Sequence, residues 1–355
     1  MWHDRRILDL FDIEQPILLA PMAGSGGAEL AIAVSEAGGL GALPCAMLSP
    51  EQIRTEVGII RQRTNGPLNL NFFCHRPPKP DAAREEAWRN RLSSYYAEYS
   101  IDSGAIPAGV GRNPFNEETC EIVEEQRPEI VSFHFGLPKE SLLERVRATG
   151  AKVIASATTV AEARWLAEHG CDAIIAQGAE AGGHRGIFLE EDFSTQPGTM
   201  ALVPQVVDAV EVPVIAAGGI CDARGIAAAF MLGAAAVQIG TAYLQSPEAL
   251  TGPAHREALT NARDDRTVLT NVFTGRPARG LINRIVREVG PVSADAPAFP
   301  LATAAVMPLR KAAEGMGSGD FSPLWAGQAA PLARPMPAAH LTRELAEEAQ
   351  VLLGR

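Results

Sequence analysis

The sequence predicts an α/β protein with the architecture of a TIM (β/α)8 barrel, extended by insertions after strands 3 and 6 and by a C-terminal helical subdomain. Three observations predict this fold. Eight short apolar runs recur along the chain, helical patterns lie between them, and successive runs often start 21 to 23 residues apart. That spacing is about the length of one strand, one helix and two short loops.

The apolar runs are continuous rather than alternating, as expected for parallel strands that are buried on both faces. They cover residues 16–22, 38–43, 68–73, 129–136, 152–157, 172–178, 213–219 and 235–241. Helical patterns between them cover residues 27–36, 139–148, 160–168 and 222–231. Eight strand–helix units of this kind fit a closed barrel.

The main alternative fold is a doubly wound sheet that binds a dinucleotide. Such a sheet carries the pattern G-x-G-x-x-G directly after a strand, and the chain has no such pattern. The nearest match begins at Gly39 and Gly41 but has Pro44 where the third glycine should be. The barrel is therefore the favoured fold.

A plain barrel takes about 250 residues, so about 100 of the 355 residues need another place. We expect residues 1–245 to form the barrel, with an insertion at about 74–128 that contains a charged helix over 82–99. A second long connection spans residues 184–212. Residues 246–355 are predicted to form the C-terminal helical extension and substrate wall, with helices over 301–314 and 340–353. We expect these extensions to gather over the catalytic end of the barrel.

Composition excludes several classes of partner. The 31 basic and 42 acidic residues give a net charge of −11, and no run of Lys or Arg forms a basic patch for nucleic acid. The 5 scattered cysteines contain no C-x-x-C pair, which favours reduced thiols in a cytoplasmic protein without a metal site. The N-terminus lacks the pattern of a signal peptide. The longest apolar run, 225–237, is shorter than the roughly 18 residues that indicate a membrane span.

Unusual residues cluster where the strands are predicted to end, which is where barrels place their function. The sixth run leads into the sequence QGAEAGGHRG, residues 177–186. Its paired glycines, Gly182 and Gly183, let the backbone approach a ligand and offer unobstructed N–H groups. They would hold His184 at the mouth of the barrel. The competing interpretation is a solvent-exposed loop histidine beside a flexible glycine pair.

The seventh and eighth runs also end in glycine. Gly218 and Gly219 end the seventh run, and Gly240 precedes Thr241 at the end of the eighth. Many barrels bind a phosphate at these two ends through backbone N–H groups and a helix N-terminus. Tight packing between helix and strand also favours glycine, but glycines at both adjacent strands favour a phosphate site.

Two further polar residues fall within apolar runs and need partners in the protein or on a ligand. Asn71 lies in the third run, and His134 lies near the end of the fourth, where a buried histidine with protein partners is the alternative. Amides beside a phosphate site, without a Walker loop, favour a flavin mononucleotide over a nucleoside triphosphate. The remaining histidines are interpreted as structural: His3, His75, His169, His255 and His340.

At these residues the sequence closely resembles the class I branch of the nitronate monooxygenases, formerly called 2-nitropropane dioxygenases. These are FMN-dependent TIM-barrel enzymes. The resemblance spans nearly the whole chain, and the segments SFHFGLP and GRPARGLINR are the most specific to this branch. Matching segments include APMAG (20–24), SFHFGLP (132–138), AQGAEAGGHRG (176–186), PVIAAGGI (213–220), VQIGTAYL (237–244) and GRPARGLINR (275–284).

The resemblance implies an oxidoreductase that uses FMN and O2 to convert alkyl nitronates, with nitroalkanes as further candidate substrates, into carbonyl compounds and nitrite. It implies a detoxifying role for a monomer or homodimer. His184 would be the catalytic base or the group that orients the substrate, and His134 would bind the substrate. The residues implied to bind FMN are Met22, Ala23, Asn71, Gln177, Gly182, Gly183, Gly218, Gly219, Gln238, Ile239, Gly240 and Thr241.

Alternative functions remain at this stage. An NAD(P)H-dependent flavin reductase of the same barrel group, either an enoyl reductase or a quinone reductase, would share the glycine segments. A phosphate-binding isomerase or aldolase usually needs a lysine or several carboxylates, whereas Glu180 is the one carboxylate near the predicted strand ends.

The predicted substrate wall in the C-terminal region departs from the family pattern, because relatives often place tyrosines where this chain has Phe299.

Overall fold

The computed structural model describes residues 2–102, 104 and 112–354. These residues contain eleven strands. Part of the predicted insertion, residues 103 and 105–111, lies outside them. The strands are β1 (Ile17–Leu19), β2 (Gly41–Pro44), β3 (Leu68–Phe73), β4 (Ile130–His134), β5 (Lys152–Ala157), β6 (Ala173–Gln177), β7 (Gly183–His184), β8 (Val214–Ala217), β9 (Ala236–Ile239), β10 (Thr267–Thr270) and β11 (Ala278–Leu281).

Eight of these strands form the predicted barrel. Their order is β1-β9-β8-β6-β5-β4-β3-β2, and every neighbouring pair is parallel. A parallel bridge between Leu18 and Leu40 joins the two ends. There the Leu19 N–H donates to Leu40 O at 2.9 Å, and the Leu40 N–H donates to Ile17 O at 3.0 Å. Each predicted apolar run overlaps one of the eight strands, so the predicted fold class is confirmed.

The helices of the described chain lie between and beyond the barrel strands. They are α1 (Arg6–Phe11), α2 (Ala28–Glu36), α3 (Pro50–Arg63), α4 (Ala82–Arg91), α5 (Ser93–Glu98), α6 (Glu117–Gln126), α7 (Glu140–Ala148), α8 (Val160–Glu168), α9 (Thr199–Val207), α10 (Ala223–Met231), α11 (Pro253–Thr260), α12 (Arg284–Glu288), α13 (Ala302–Gly315) and α14 (Ala338–Leu352). Among the described residues, none of these helices is long and apolar enough to cross a membrane.

The third strand shows how the sequence builds both the core and the site. Every residue of β3 is buried, and successive side chains of a strand point to opposite faces. Leu68, Leu70 and Phe72 pack in the main hydrophobic core. Asn69 and Asn71 therefore share the other face, which is the barrel interior. Of the two, Asn71 lies nearer the C-terminal end of β3 and lines the cavity there.

The insertion after β3 packs against the C-terminal region rather than against the barrel alone. Trp88 and Tyr96, from α4 and α5, lie in a second hydrophobic core with residues of α12 and α13. The Trp88 Nε1–H donates to Ala302 O at 3.2 Å, and the Tyr96 hydroxyl donates to Ala305 O at 2.7 Å. These bonds satisfy the polar atoms of two buried aromatic side chains, so the two extensions form one packed unit.

The C-terminal region supplies strands as well as the predicted helices. β10 and β11 pair antiparallel, and β11 also pairs with β7, which places Ala278 opposite His184. The last helix, α14, returns to the barrel and packs against α2 and α10. A buried hydrogen bond of 2.7 Å joins the hydroxyls of Tyr243 and Thr342 beneath it. The C-terminal region thus contacts both the mouth and the outer wall of the barrel.

Candidate active site

A cavity of about 180 Å³ opens at the C-terminal ends of the barrel strands. Of the residues predicted for the site, Ile239 alone does not line it, because its side chain packs in the main hydrophobic core. The predicted residues that do line it are Met22, Ala23, Asn71, His134, Gln177, Gly182, Gly183, His184, Gly218, Gly219, Gln238, Gly240 and Thr241.

The charge of the cavity wall is opposite to that of the whole chain. The chain has a net charge of −11, yet no described residue of the wall is a carboxylate, and Arg112 is its one Arg or Lys. His134, His184 and His255 also line the wall. A neutral-to-cationic wall with few competing acids favours an anionic ligand.

Glycines bring the backbone close to the cavity where a side chain would not fit. Gly218 has a φ of +110°, and a Cβ there would lie 2.9 Å from Ala181 N. A Cβ on Gly182 would lie 2.5 Å from Gly327 N and 2.6 Å from the carbonyl carbon of Ala326. Such glycines expose backbone N–H groups to a ligand. They form a cradle at the ends of β6 and β8.

Gln238 gives a second indication of a ligand. Its Oε1 is buried and has no hydrogen-bond partner among the described residues, although the side chain lines the cavity. Buried polar atoms are nearly always paired. A ligand that donates a hydrogen bond would satisfy this oxygen.

Two predicted cofactor-binding amides already have protein partners. Gln177 Nε2 donates to His184 O at 3.0 Å, and its Oε1 accepts from the Gly186 N–H at 2.8 Å. Gln177 therefore holds the segment that carries His184. Asn71 Nδ2 donates to Ser132 O at 3.2 Å and to Ser132 Oγ at 2.9 Å, which leaves its Oδ1 as the acceptor for a ligand.

His184 lies in β7, beside a group of aromatic rings. Ring centroids of Phe299 and Trp325 lie 5.3 and 5.4 Å from that of His184, and those of Phe135 and Phe73 lie 6.1 and 6.3 Å away. Burial among these rings lowers the pKa of His184 well below 6.5, and nearby Arg112 lowers it further. The imidazole is therefore neutral at pH 7, the form that can accept a proton.

His134 supports His184 from below. Its Nε2 lies 3.2 Å from His184 O, and its Nδ1 lies 2.9 Å from Ser156 Oγ. Since a carbonyl oxygen only accepts, Nε2 carries the proton and Nδ1 accepts from the serine hydroxyl. Burial, together with the charge of Arg276, lowers the pKa of His134 to about 3. Both ring nitrogens thus have protein partners, although the side chain lines the cavity.

Several residues of the site were not singled out from the sequence. Arg112, from the insertion, and Trp325, from the C-terminal region, line the cavity, and so does His255, which was interpreted as structural. His255 Nε2 donates to Trp325 O at 3.1 Å. Outside the wall, Thr274 Oγ1 lies 2.9 Å from His184 Nε2, and the Arg276 guanidinium lies 3.9 Å from the centroid of the Phe135 ring. All five lie outside the barrel strands, so no strand-end pattern marks them.

The buried histidines predict acid sensitivity. Burial lowers the pKa of His75 and His255 to about 4 and that of His134 to about 3, against about 6.5 for an unfolded chain. Below pH 6.5 the unfolded state therefore binds protons that the folded state does not. We expect the free energy of unfolding to fall by about 1.4 kcal/mol per histidine for each pH unit between about 6.5 and 4.

Urea denaturation at pH 7, 6 and 5 measures this slope. The variant H255Q keeps an N–H donor for Trp325 O but does not titrate. Its free energy of unfolding should therefore change less steeply with pH, by the contribution of one histidine. H340Q is the matched control, because His340 is exposed and pairs with Glu344 on the surface of α14. Equal slopes in the wild type and H255Q would contradict the lowered pKa of His255.

Comparisons with known proteins show the family to which the chain belongs. A sequence model of the nitronate monooxygenase family matches residues 4–348. The nitronate monooxygenase of Pseudomonas aeruginosa is 43% identical over 345 residues, which covers 97% of this chain and 98% of that protein. Among solved structures, nitroalkane oxidase from Streptomyces ansochromogenes has a TM-score of 0.90 and 38% identity, and the match covers 98% of this chain and 99% of that one.

A more distant structure shares the same architecture. FabK from Thermotoga maritima has a TM-score of 0.73 and 29% identity, with coverage of 98% of this chain and 97% of that chain. Within the described ranges, no three His, Cys, Asp or Glu side chains are grouped as metal ligands would be. The family model and the Pseudomonas aeruginosa protein both match the chain almost from end to end. The chain therefore belongs to the nitronate monooxygenase family and is an oxidoreductase enzyme.

Proposed function

We propose that the protein binds FMN and uses O2 to denitrify alkyl nitronates, giving a carbonyl compound and nitrite. The observation that carries this proposal is the cavity wall, which combines a glycine cradle with a neutral histidine and an arginine and, in its described part, has no carboxylate. A nitronate is a planar anion, and such a wall suits it. The names of the relatives support the same substrate class.

The cavity fits FMN on two grounds. The unpartnered Gln238 Oε1 can accept from the flavin or from its ribityl chain, and the Asn71 Oδ1 is a second acceptor. Backbone N–H groups near Gly218, Gly219 and Gly240 suit the phosphate, because they lie at the ends of the seventh and eighth barrel strands. When bound, FMN would supply the electron transfer between the nitronate and O2.

His184 and Arg112 would then act on the substrate itself. The neutral imidazole can remove the α-proton of a nitroalkane: the C–H bond breaks, its electron pair moves into the nitro group, and the proton forms an N–H bond on the ring. The product of that step is the nitronate anion. The Arg112 guanidinium can balance its charge within the partly buried wall.

Oxygen uptake and nitrite release, measured with a preformed alkyl nitronate and with its parent nitroalkane, test this function. We expect a yellow protein that consumes O2 and releases nitrite with the nitronate. Rapid anaerobic bleaching by NADH or NADPH, with no nitrite, would instead identify a flavin reductase. A colourless protein that gains nothing from added FMN would identify a non-redox barrel.

Substitution of Arg112 by glutamine should weaken binding of the anionic substrate. Charge-assisted hydrogen bonds contribute about 1.5–3 kcal/mol, so we expect KM for the nitronate to rise about tenfold to a hundredfold with a smaller change in kcat. R63Q is the control, because Arg63 pairs with Glu29 on the exposed surface. An unchanged KM in R112Q would show that the anion binds elsewhere.

A further inference from the structure

We propose that Thr274 is a positioning residue whose Oγ1 accepts a hydrogen bond from the Nε2–H of His184, which keeps the proton on Nε2 and leaves the Nδ1 lone pair facing the substrate. The inference rests on the proposed function, in which His184 is the base. It goes further by assigning the reacting nitrogen and the residue that selects it.

The first support is the geometry around the His184 ring. Thr274 Oγ1 lies 2.9 Å from His184 Nε2, and Thr274 is only 3% exposed, so bulk water does not compete for the ring nitrogen. Nδ1 of His184 makes no hydrogen bond with the described part of the chain. Because His184 lines the cavity, Nδ1 is the nitrogen available to a ligand.

The second support is the direction of the threonine hydroxyl. Thr274 Oγ1 lies 3.4 Å from Arg276 O, and the Arg276 N–H approaches the same oxygen at 3.4 Å. A hydroxyl has one proton to donate, and a carbonyl oxygen can only accept. When that proton is directed to Arg276 O, the lone pairs of Oγ1 are left for the Nε2–H of His184. The tautomer with the proton on Nε2 is the one in which Nδ1 can act as a base.

Thr274 is itself held in place by the C-terminal region. The Gly275 N–H donates to Asn271 O at 2.8 Å and closes the turn that contains Thr274. Asn271 is tied in turn to Ser293, with Nδ2 donating to Ser293 O and the Ser293 N–H donating to Oδ1, both at 2.9 Å. Val272 and Phe273, just before Thr274, lie in the second hydrophobic core. The hydroxyl therefore has a fixed position rather than a place on a loose loop.

The charges around His184 explain why a hydroxyl suits this place. The titratable and charged groups that face the ring are Arg112, Arg276, His134 and His75, and none of them is a carboxylate. A carboxylate bonded to Nε2 would favour the protonated imidazolium. A threonine hydroxyl can hold the same tautomer without adding a negative charge, so the ring stays neutral and ready to accept a proton.

The variants T274V and T274S test the role of the hydroxyl. Valine has nearly the same shape but no hydroxyl, whereas serine keeps it. A neutral hydrogen bond contributes about 0.5–1.5 kcal/mol, so T274V should lower kcat with a nitroalkane about two- to tenfold, at every pH from 6 to 9. T274S should retain most of the rate. With the preformed nitronate, which has already lost its α-proton, the loss in T274V should be much smaller.

A spectroscopic measurement makes the test independent of turnover. In 15N-histidine-labelled holoenzyme, the His184 signals should show a protonated Nε2 and an unprotonated Nδ1 in the wild type and T274S, with the two tautomers mixed in T274V. The H184N variant identifies these signals. Melting temperature and flavin content are measured for each variant, so that a folding defect is recognised.

The outcomes separate this inference from the proposed function. If the wild type releases no nitrite from a nitronate, the proposed function fails. If the wild type is active but T274V loses equal activity with both substrates, or loses none with the nitroalkane, the positioning role of Thr274 is overturned. A wild type that oxidises nitronates and leaves nitroalkanes untouched also overturns it, as does a His184 proton on Nδ1.

Discussion

Replacing His184 with asparagine should lower nitroalkane turnover by about 10²- to 10⁴-fold while the protein retains its FMN. Asparagine is polar and smaller than histidine, and it has no basic nitrogen to take the α-proton. Steady-state O2 uptake with a nitroalkane measures the loss, and the flavin absorbance of the purified variant measures cofactor content. The loss with a preformed nitronate should be smaller, because no α-proton is removed.

The pH dependence gives a second measure of the same base. Burial lowers the pKa of His184 well below 6.5, and a base works in its deprotonated form. The nitroalkane rate of the wild type should therefore be flat from pH 7 upward and fall only on the acid side of 6.5. H340N, on the exposed face of α14, is the control. A nitroalkane rate in H184N equal to that of the wild type would exclude His184 as the base.

Replacing Gly182 with alanine should prevent normal cofactor retention. The added Cβ would lie 2.5 Å from Gly327 N, and the Gly327 N–H donates to Thr241 Oγ1 at 2.9 Å. Relief of the clash requires a shift of the backbone at residue 182 or at residues 326–327, and either shift disturbs the wall beside Thr241, at the proposed phosphate end of the cavity. We expect a loss of about 1–3 kcal/mol in stability and a sharply reduced flavin content, measured by absorbance and thermal unfolding.

Gly58→Ala is the matched control for this glycine. Gly58 lies in α3, and a Cβ there would meet no atom within 4 Å. Alanine favours a helix over glycine by about 1 kcal/mol, so this variant should keep its flavin and be slightly more stable. If G182A purifies with full flavin and an unchanged melting temperature, the contact between residues 182 and 327 does not shape the site.

The barrel could be predicted because its signals are local. Each strand is a short apolar run, and the helices α2, α7, α8, α10, α13 and α14 lie within two residues of their predicted bounds. The prediction of one charged helix over 82–99 was less accurate, because the segment divides into α4 and α5 at Leu92, whose φ is −95° and whose ψ is 0°. No local pattern marked that break.

The site could be predicted only where it follows from strand ends. That Gly182, His184 and Gly218 line the cavity could be predicted, because they follow the ends of β6 and β8. Trp325, which lines the cavity, and Thr274, which contacts His184, were missed because they are brought to the site by segments that are far apart in the chain from the barrel strands. Sequence also could not show that both polar atoms of Gln177 are used by the protein, because an amide bonded to a ligand and one bonded to the backbone look the same.

The pairing of β7 with β11 has a consequence for how the enzyme is made. Translation proceeds from the N-terminus, so all eight barrel strands leave the ribosome before residues 267–281 and Trp325 have emerged. The glycines proposed to hold the phosphate are therefore synthesised before the wall that surrounds His184. A nascent chain would therefore contain the proposed phosphate site before it contains Thr274, and a chain truncated after residue 245 would lack Thr274 and Trp325 beside His184.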